Sequence, residues 1–338
     1  MDTIAAIITP PGEGGIAGLR IAGPDSKTIL NRLFKPQSGA PHELEPFHLY
    51  YGSINSIGGE LLDEVMAVFM PEDHSYTALE QVELFCHGGR QVSKMILDEI
   101  VGCGARVAEP GEFTKLAFLN GRIDLARAEA VAEMISANSL RSYETSRDHL
   151  LGGYSALIES IRQRLVKLLA EVEASIDFSE EDIEEKNASM ILKSTREIKS
   201  EIDTLLQSYE SGRIVRDGFK IVIAGRPNAG KSSLFNLLLK NERALVNPTA
   251  GTTRDYLSEW IEISGQAVNI IDTAGFRSSG DEIEMAGQER AREIVEQADL
   301  ILWIFDVSDK SGSETIENDL QEMVNKPICV IGNKIDLL

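Results

Sequence analysis

Residues 225–233 read GRPNAGKSS, with the spacing G-x-x-x-x-G-K-S. The run follows the apolar stretch FKIVIAG (219–225) and precedes the helical pattern SLFNLLLK (233–240), which is the context a phosphate-holding loop requires. Gly225 and Gly230 let the chain turn so that the backbone N–H groups of Asn228, Ala229, Gly230, Lys231, Ser232 and Ser233 face phosphate oxygens at a helix N-terminus. Lys231 adds a point charge for the β- and γ-phosphates, and the Ser232 hydroxyl is a magnesium ligand. Two further motifs follow in order. Asp272 ends the apolar run VNIID and opens DTAG, where Asp272, Thr273, Ala274 and Gly275 meet the metal and the γ-phosphate. NKID closes another apolar run. Its Asp336 accepts from the N1–H and exocyclic amine of guanine and Lys334 lies over the base, with Asn333 opening the same GTP-binding motif. A buried acceptor left unpaired by the wrong base costs about 1–3 kcal/mol, enough to prefer GTP over ATP by tenfold or more.

Between these lies NPTAGTTRD (247–255), a Gly, Pro and Thr-rich loop at the place of a first nucleotide switch. Thr253 is the expected magnesium ligand, with Thr252 as its rival; for a lone Thr a turn cap is the better reading, and the flanking motifs reverse that order. One position breaks the pattern. In IIDTAGFRSS, Phe276 stands where many GTP hydrolases carry a water-positioning glutamine, so hydrolysis needs another group there.

The elements that must position these residues are legible in the hydrophobic pattern. FKIVIAG, AVNIIDTAG, LILWIFDVSD and PICVIGNKID alternate with helical segments and predict a doubly wound, mainly parallel sheet over residues 217–338. Residues 1–120 mix the strand-like runs IAGLRIAG, EVMAVFM and QVELFCHGG with the helical stretch QVSKMILDEIVGCG, an α+β pattern. From 121 to 216 apolar residues recur at three- and four-residue spacing in DLARAEAVAEMISANS, YSALIESIRQRLVKLLAEVEASI and SMILKSTREIKSEIDTLLQSYESG, which predicts packed amphipathic helices with a C-cap at Gly212. The acidic run FSEEDIEEK reads as solvated loop or helix start. The fold class is therefore multidomain α+β and α/β. The sequence closes two residues after Asp336, where an α/β nucleotide-binding domain is expected to continue by at least one strand and helix.

Composition narrows the class. The chain has 338 residues and a formal charge of −21, and no segment is net basic: the three carry −8, −5 and −8. A surface that grips nucleic-acid backbone by itself concentrates Lys and Arg, so composition argues mildly against that role. Cys86, Cys103 and Cys329 lack metal-ligand spacing and read as buried or free thiols. No long apolar run or signal-peptide pattern occurs, so a cytoplasmic, non-membrane protein is expected.

GRPNAGKSS, AGTTRD, DTAGFR and NKID resemble GTPases of the TrmE/Era/EngA kind. DTIAAIITPPGEGGIAGLRIAG, VELFCHGG and AEPGEFTKLAFLNGRIDLARAEAV closely resemble one family, the tRNA modification GTPases TrmE, also called MnmE, across essentially the whole chain. The resemblance implies an N-terminal tetrahydrofolate-binding domain, a helical domain and a P-loop GTPase domain inserted into it. It implies hydrolysis activated by potassium and by homodimerisation of the GTPase domains, with Asn228 ligating potassium and Asn247, Thr249 and Thr252 supplying oxygens around it. The family's water-positioning carboxylate falls on Glu284 in DEIEM; taken alone, Glu284 is an ordinary acidic residue starting a helix. The family's folate contacts fall on Arg20, Glu83 and Arg122, where Arg replaces a frequent Lys; singly, each is as well read as one half of an internal ion pair. His87 is expected to pack beside Gly88 and Gly89. The implied reaction, with the flavoprotein MnmG as partner and a methylene-tetrahydrofolate as one-carbon donor, adds an aminomethyl-type (carboxymethylaminomethyl) group to carbon 5 of the wobble uridine of certain tRNAs. A guanine-completing loop after NKID and a Cys-x-Gly-Lys ending belong to the family pattern beyond this sequence. The rival reading is an Era/EngA-like GTPase that times ribosome assembly; the GTPase motifs fit both, and the N-terminal motifs favour modification.

Overall fold

The computed structural model describes residues 2–39, 44–177, 184–241, 243–244, 257–272, 294–308 and 326–337. The chain divides into two compact units, residues 1–132 and 133–338.

The first unit is built on a seven-stranded sheet in the order β3-β4-β5-β6-β2-β1-β7. Its strands are β1 (Ile4–Ile7), β2 (Ile16–Ala22), β3 (Phe34–Pro36), β4 (Tyr50–Asn55), β5 (Leu61–Met70), β6 (Gln81–His87) and β7 (Arg106–Val107). All pairs are antiparallel except β1 with β7. Helices α1 (Ser26–Leu33), α2 (Arg90–Gly102) and α3 (Glu112–Leu119) complete it. Alternation along β5 and β6 puts Val65, Ala67, Phe69, Val82, Leu84 and Cys86 inward, where they meet Ile29, Leu30 and Leu33 of α1 and Ile96 and Ile100 of α2 in one core. Burial pushes the Cys86 thiol up to about 11. Helix α1 was not foreseen: SKTILNRL is only eight residues long, too short for its period to stand out.

Helix α4 (Leu125–Ser136) spans the division. The second unit continues with α5 (Leu140–Leu150), α6 (Gly153–Asp177), α7 (Glu184–Gln207) and α8 (Tyr209–Asp217). Helices α6 and α7 pack together, with Ile161 and Ile198 buried and Arg164 paired to Glu201. Of FSEEDIEEK, residues 178–183 lie outside the described residues, and 184–186 begin α7.

The helix end expected at Gly212 is corrected. Gly212 lies inside α8, and the chain leaves the helix at Gly218 instead, with φ +78°. Arg213 and Ile214 continue the helical face, and their bonds to Asp299 and Gln266 hold the extra turns in place. At Gly218 a Cβ would stand 2.4 Å from the Trp260 ring, so only glycine fits both the conformation and the space.

The second sheet has the order β13-β12-β8-β11-β10-β9, formed by β8 (Phe219–Gly225), β9 (Arg243–Ala244), β10 (Leu257–Ile263), β11 (Gln266–Asp272), β12 (Leu300–Asp306) and β13 (Ile328–Asn333). Strands β13, β12, β8 and β11 run parallel, while β10 pairs antiparallel with β11 and β9. Helix α9 (Lys231–Asn241) packs on β8 and β11 through Phe235, Leu234 and Leu238. Among the described residues no helix is long and apolar enough to cross a membrane.

Candidate functional site

In a parallel sheet the carboxyl ends of the strands share one edge, and ligands bind in the crevice outside it. Gly225, Asp272, Asp306 and Asn333 end β8, β11, β12 and β13. Motifs separated by more than a hundred residues of sequence therefore converge on one edge.

The phosphate loop leaves β8 at Gly225 and enters α9 at Lys231. Its turn needs left-handed backbone at Asn228 (φ +60°) and Gly230 (φ +104°). Asparagine tolerates that region better than most side chains, so exposed Asn228 is accounted for locally as well as by a ligand role. The Lys231 ammonium donates to the carbonyls of Gly225 and Arg226 at 2.8 and 2.9 Å, folding the side chain back over the loop.

Two contacts join the loop to the other motifs. The Ser232 hydroxyl donates to Asp272 Oδ2 at 3.0 Å, and Asp272 is fully buried at the end of β11. A hydroxyl and a carboxylate side by side are the hard oxygen donors that Mg²⁺ takes, so the residues fit that ion. The Asn333 amide donates to the Ala229 carbonyl at 2.8 Å, tying NKID to the loop. Lys334 (φ +62°) pairs with Asp306 Oδ2 at 2.7 Å, and Asp336 is exposed in the short 3₁₀ turn Ile335–Leu337. Asn247, Thr249, Thr252, Thr253, Thr273, Ala274, Gly275 and Glu284 lie outside the described residues.

In the first unit Arg20 and Glu83 face each other across β2 and β6. Arg20 Nε and Nη2 donate to Glu83 Oε1 at 2.9 and 2.8 Å, and Gln81 Nε2 donates to the same oxygen at 3.2 Å. The rings of Tyr76 and Phe113 lie within 5.2 and 5.4 Å of the Arg20 guanidinium. Arg122 is exposed after the turn at Asn120 and Gly121, where Asn120 Nδ2 donates to the Thr77 carbonyl at 2.7 Å. There it lines an open groove of about 440 Å³ with Glu72, Asp73, Ala78, Leu79, Asn120 and Gly121. Arg20 and Glu83 are not among the groove's lining residues. The Arg122 guanidinium beside an open groove can pair with an acidic tail, and a carboxylate such as Glu83 can take the donors of a pterin ring.

His87 departs from expectation. Its ring is exposed and its Nδ1 lies 2.7 Å from Asp63 Oδ1, while its backbone N–H donates to Asp63 Oδ2 at 2.8 Å. It ends β6 on the outward side of the alternation, so it meets a carboxylate rather than packing against the glycines.

Sequence reasoning passed over Asp306. LILWIFDVSD reads as a strand, and its pattern gives Asp306 no role. The signal that would have found it is its place: the last residue of a parallel strand, in register with Asn333.

The family models described as "GTP-binding protein TrmE N-terminus" and "MnmE helical domain" match residues 3–122 and 125–334. A tRNA modification GTPase MnmE of Moorella thermoacetica is 44% identical over 342 aligned residues, spanning 100% of this chain and 73% of that protein. The relative of the same name in Aquifex aeolicus is 42% identical over 99% of this chain and 74% of its own length. A solved structure of Aquifex aeolicus Era is 32% identical over 35% of this chain and 40% of that chain, with a TM-score of 0.27.

Proposed function

The chain belongs to the MnmE (TrmE) family of tRNA modification GTPases, and from that premise we propose that it hydrolyses GTP to drive addition of a carboxymethylaminomethyl-type group to carbon 5 of wobble uridine in certain tRNAs. GTP hydrolysis is the class of its relatives. The observation that carries the site assignment is the pair of contacts Ser232–Asp272 and Asn333–Ala229, which link the phosphate loop to the two other nucleotide motifs at one sheet edge.

In this reading the N–H groups from Asn228 to Ser233 bind the phosphates, and Lys231 leaves its carbonyl partners for the β- and γ-phosphate oxygens. Ser232 and Asp272, with Thr253 or its rival Thr252, hold Mg²⁺, which neutralises charge on the phosphates when bound. Asn333, Lys334 and Asp336 select guanine, Thr273 to Gly275 sense the γ-phosphate, and Glu284 orients the water that no glutamine is present to hold. Asn228, Asn247, Thr249 and Thr252 would hold K⁺, which when bound would supply the positive charge that an arginine finger gives elsewhere. Arg20, Glu83 and Arg122 bind a tetrahydrofolate derivative. The domains are 1–120, 121–216 and 217–338, and the protein acts in the cytoplasm as a homodimer with the flavoprotein MnmG, which carries much of the grip on tRNA given the acidic balance here.

The test is GTP turnover at matched ionic strength in potassium and in sodium, across protein concentration. Turnover that rises with both supports the potassium site and dimerisation; equal, concentration-independent turnover refutes both while leaving the GTPase assignment intact. Glu284→Ala is expected to keep GTP binding and lose hydrolysis. An Era-like role in ribosome assembly predicts instead that residues 1–120 contribute no folate binding.

A further inference from the structure

We propose that Asp306 is a positioning residue for nucleotide binding, tethering Lys334 so that the aliphatic stem of the lysine is ordered over the face of the purine ring. The inference deepens the reading of Asn333, Lys334 and Asp336 as the base-binding motif and rests on it.

Four observations carry it. Strands β12 and β13 end in register, Asp306 opposite Asn333, so the carboxylate stands one residue from Lys334 across the sheet edge. Lys334 leaves the strand with φ +62°, a conformation that L side chains rarely adopt, and its ammonium lies 2.7 Å from Asp306 Oδ2. The second carboxylate oxygen is itself fixed: Asp306 Oδ1 accepts from the Ser308 N–H at 2.9 Å and from the Ser308 hydroxyl at 2.6 Å. The backbone around the pair is stitched in both directions, with Val307 N–H donating to the Asn333 carbonyl at 3.0 Å and Leu337 N–H to the Lys334 carbonyl at 3.0 Å.

A partly exposed ion pair contributes little to folding, so stability is a poor account of three donors converging on one carboxylate. Preorganisation is a better one. A lysine side chain has four rotatable bonds, and freezing a side chain of that kind on binding weakens affinity by roughly two- to tenfold. With its ammonium already anchored, Lys334 has lost that freedom before the nucleotide arrives. The lysine touches the ring face, which guanine and hypoxanthine share, whereas Asp336 meets the donors at the ring edge. The two residues therefore leave different signatures on base selectivity.

The experiment is equilibrium binding of fluorescent GDP to the full chain with Mg²⁺, displaced by GDP or by inosine diphosphate, for the parent, Asp306→Asn, Lys334→Gln and the double variant. Asp306→Asn is expected to weaken both nucleotides equally, about five- to tenfold. Lys334→Gln should weaken them at least as much, and the double variant no further than Lys334→Gln alone, because the carboxylate acts through the lysine. Parent-like affinity in Asp306→Asn, losses that multiply in the double variant, or a loss confined to GDP would each overturn the proposal. If Asp306→Asn does not fold, Ser308→Ala loosens the same carboxylate while keeping its charge: a loss of about twofold shared by GDP and inosine diphosphate supports the tether, and unchanged affinity counts against it. Asp336→Asn separates this proposal from its foundation. If that variant keeps the parent's preference for GDP over inosine diphosphate and ADP, the base-binding reading itself is wrong, whatever Asp306→Asn does.

Discussion

Replacing Gly230 by alanine sets two costs against each other in one place, and both can be worked from the structure. Gly230 has φ +104°, and a Cβ built there lies 2.1 Å from Asn333 Nδ2. Ordinary contact begins near 3.5 Å, so Asn333 must swing by more than an ångström and give up its bond to the Ala229 carbonyl. Backbone strain at a positive φ costs about 1–3 kcal/mol, and the lost hydrogen bond about 1 kcal/mol. Together these are about 2–4 kcal/mol, which for a unit of this size lowers the unfolding midpoint by roughly 5–15 °C. The two tryptophans of the chain, Trp260 and Trp303, both lie in the second unit, so intrinsic fluorescence during thermal unfolding reports that unit without interference. Nucleotide binding should fall as well, since the strand that carries NKID is pushed off the phosphate loop. Asn333→Ala on its own removes the hydrogen bond. Combined with Gly230→Ala it also removes the clash, so the double variant should lose about 1 kcal/mol less than the two single losses added. A Gly230→Ala midpoint within 1 °C of the parent's would falsify the close-approach argument. Strictly additive losses would refute the part that runs through Asn333.

Two further outcomes follow from ion pairs. Arg213 of α8 donates to Asp299 Oδ1 at 2.5 Å, and Asp299 also accepts from the Lys220 N–H at 2.8 Å at the start of β8. Arg213→Ala leaves a largely buried carboxylate short of its charged partner, so a loss of about 1–3 kcal/mol is expected in the same tryptophan assay, with partial recovery in Arg213→Lys. In the first unit Arg106 donates to Glu112 and holds its carboxyl at about 2, well below the usual range. A depressed carboxyl stabilises the fold above its ordinary value and loses that contribution as pH falls through the folded one. The advantage of the parent over Glu112→Gln should thus be constant above pH 5 or so and vanish as pH approaches 2, as chemical denaturation at each pH would show; an advantage independent of pH would exclude this pair as its source.

Much of the fold was legible because its signals are local. FKIVIAG, LILWIFDVSD and PICVIGNKID became β8, β12 and β13, and the glycine-rich run became the turn between β8 and α9. The parallel order followed from alternation with helices. What failed was marginal or relational. Gly212 looked like a helix end because glycine usually is one, but the bonds of Arg213 and Ile214 to the sheet carry α8 through it to Gly218. His87 was given to packing because its neighbours are glycines, and the carboxylate that meets it comes from another strand, 24 residues away. Asp306 was invisible for the same reason: its partner Lys334 is 28 residues further on. Period and propensity announce elements, while partners across a sheet depend on register, which one strand's sequence does not carry.

The common edge of the parallel strands has a consequence for which insertions and deletions this chain can bear. Strand β8 is locked to β11 with Asp272 opposite Ile223, and to β12 with Gly225 opposite Ile304. Each strand is in effect a ruler laid from the same side of the sheet, with Gly225, Asp272, Asp306 and Asn333 at the far marks. Adding one residue inside any ruler shifts its mark by about 3.3 Å and turns each side chain beyond it to the opposite face. Ser232 would lose Asp272, or Ala229 would lose Asn333, with no residue substituted. Length is free to vary only between the rulers, so indels among relatives should gather in the connections and spare the strands.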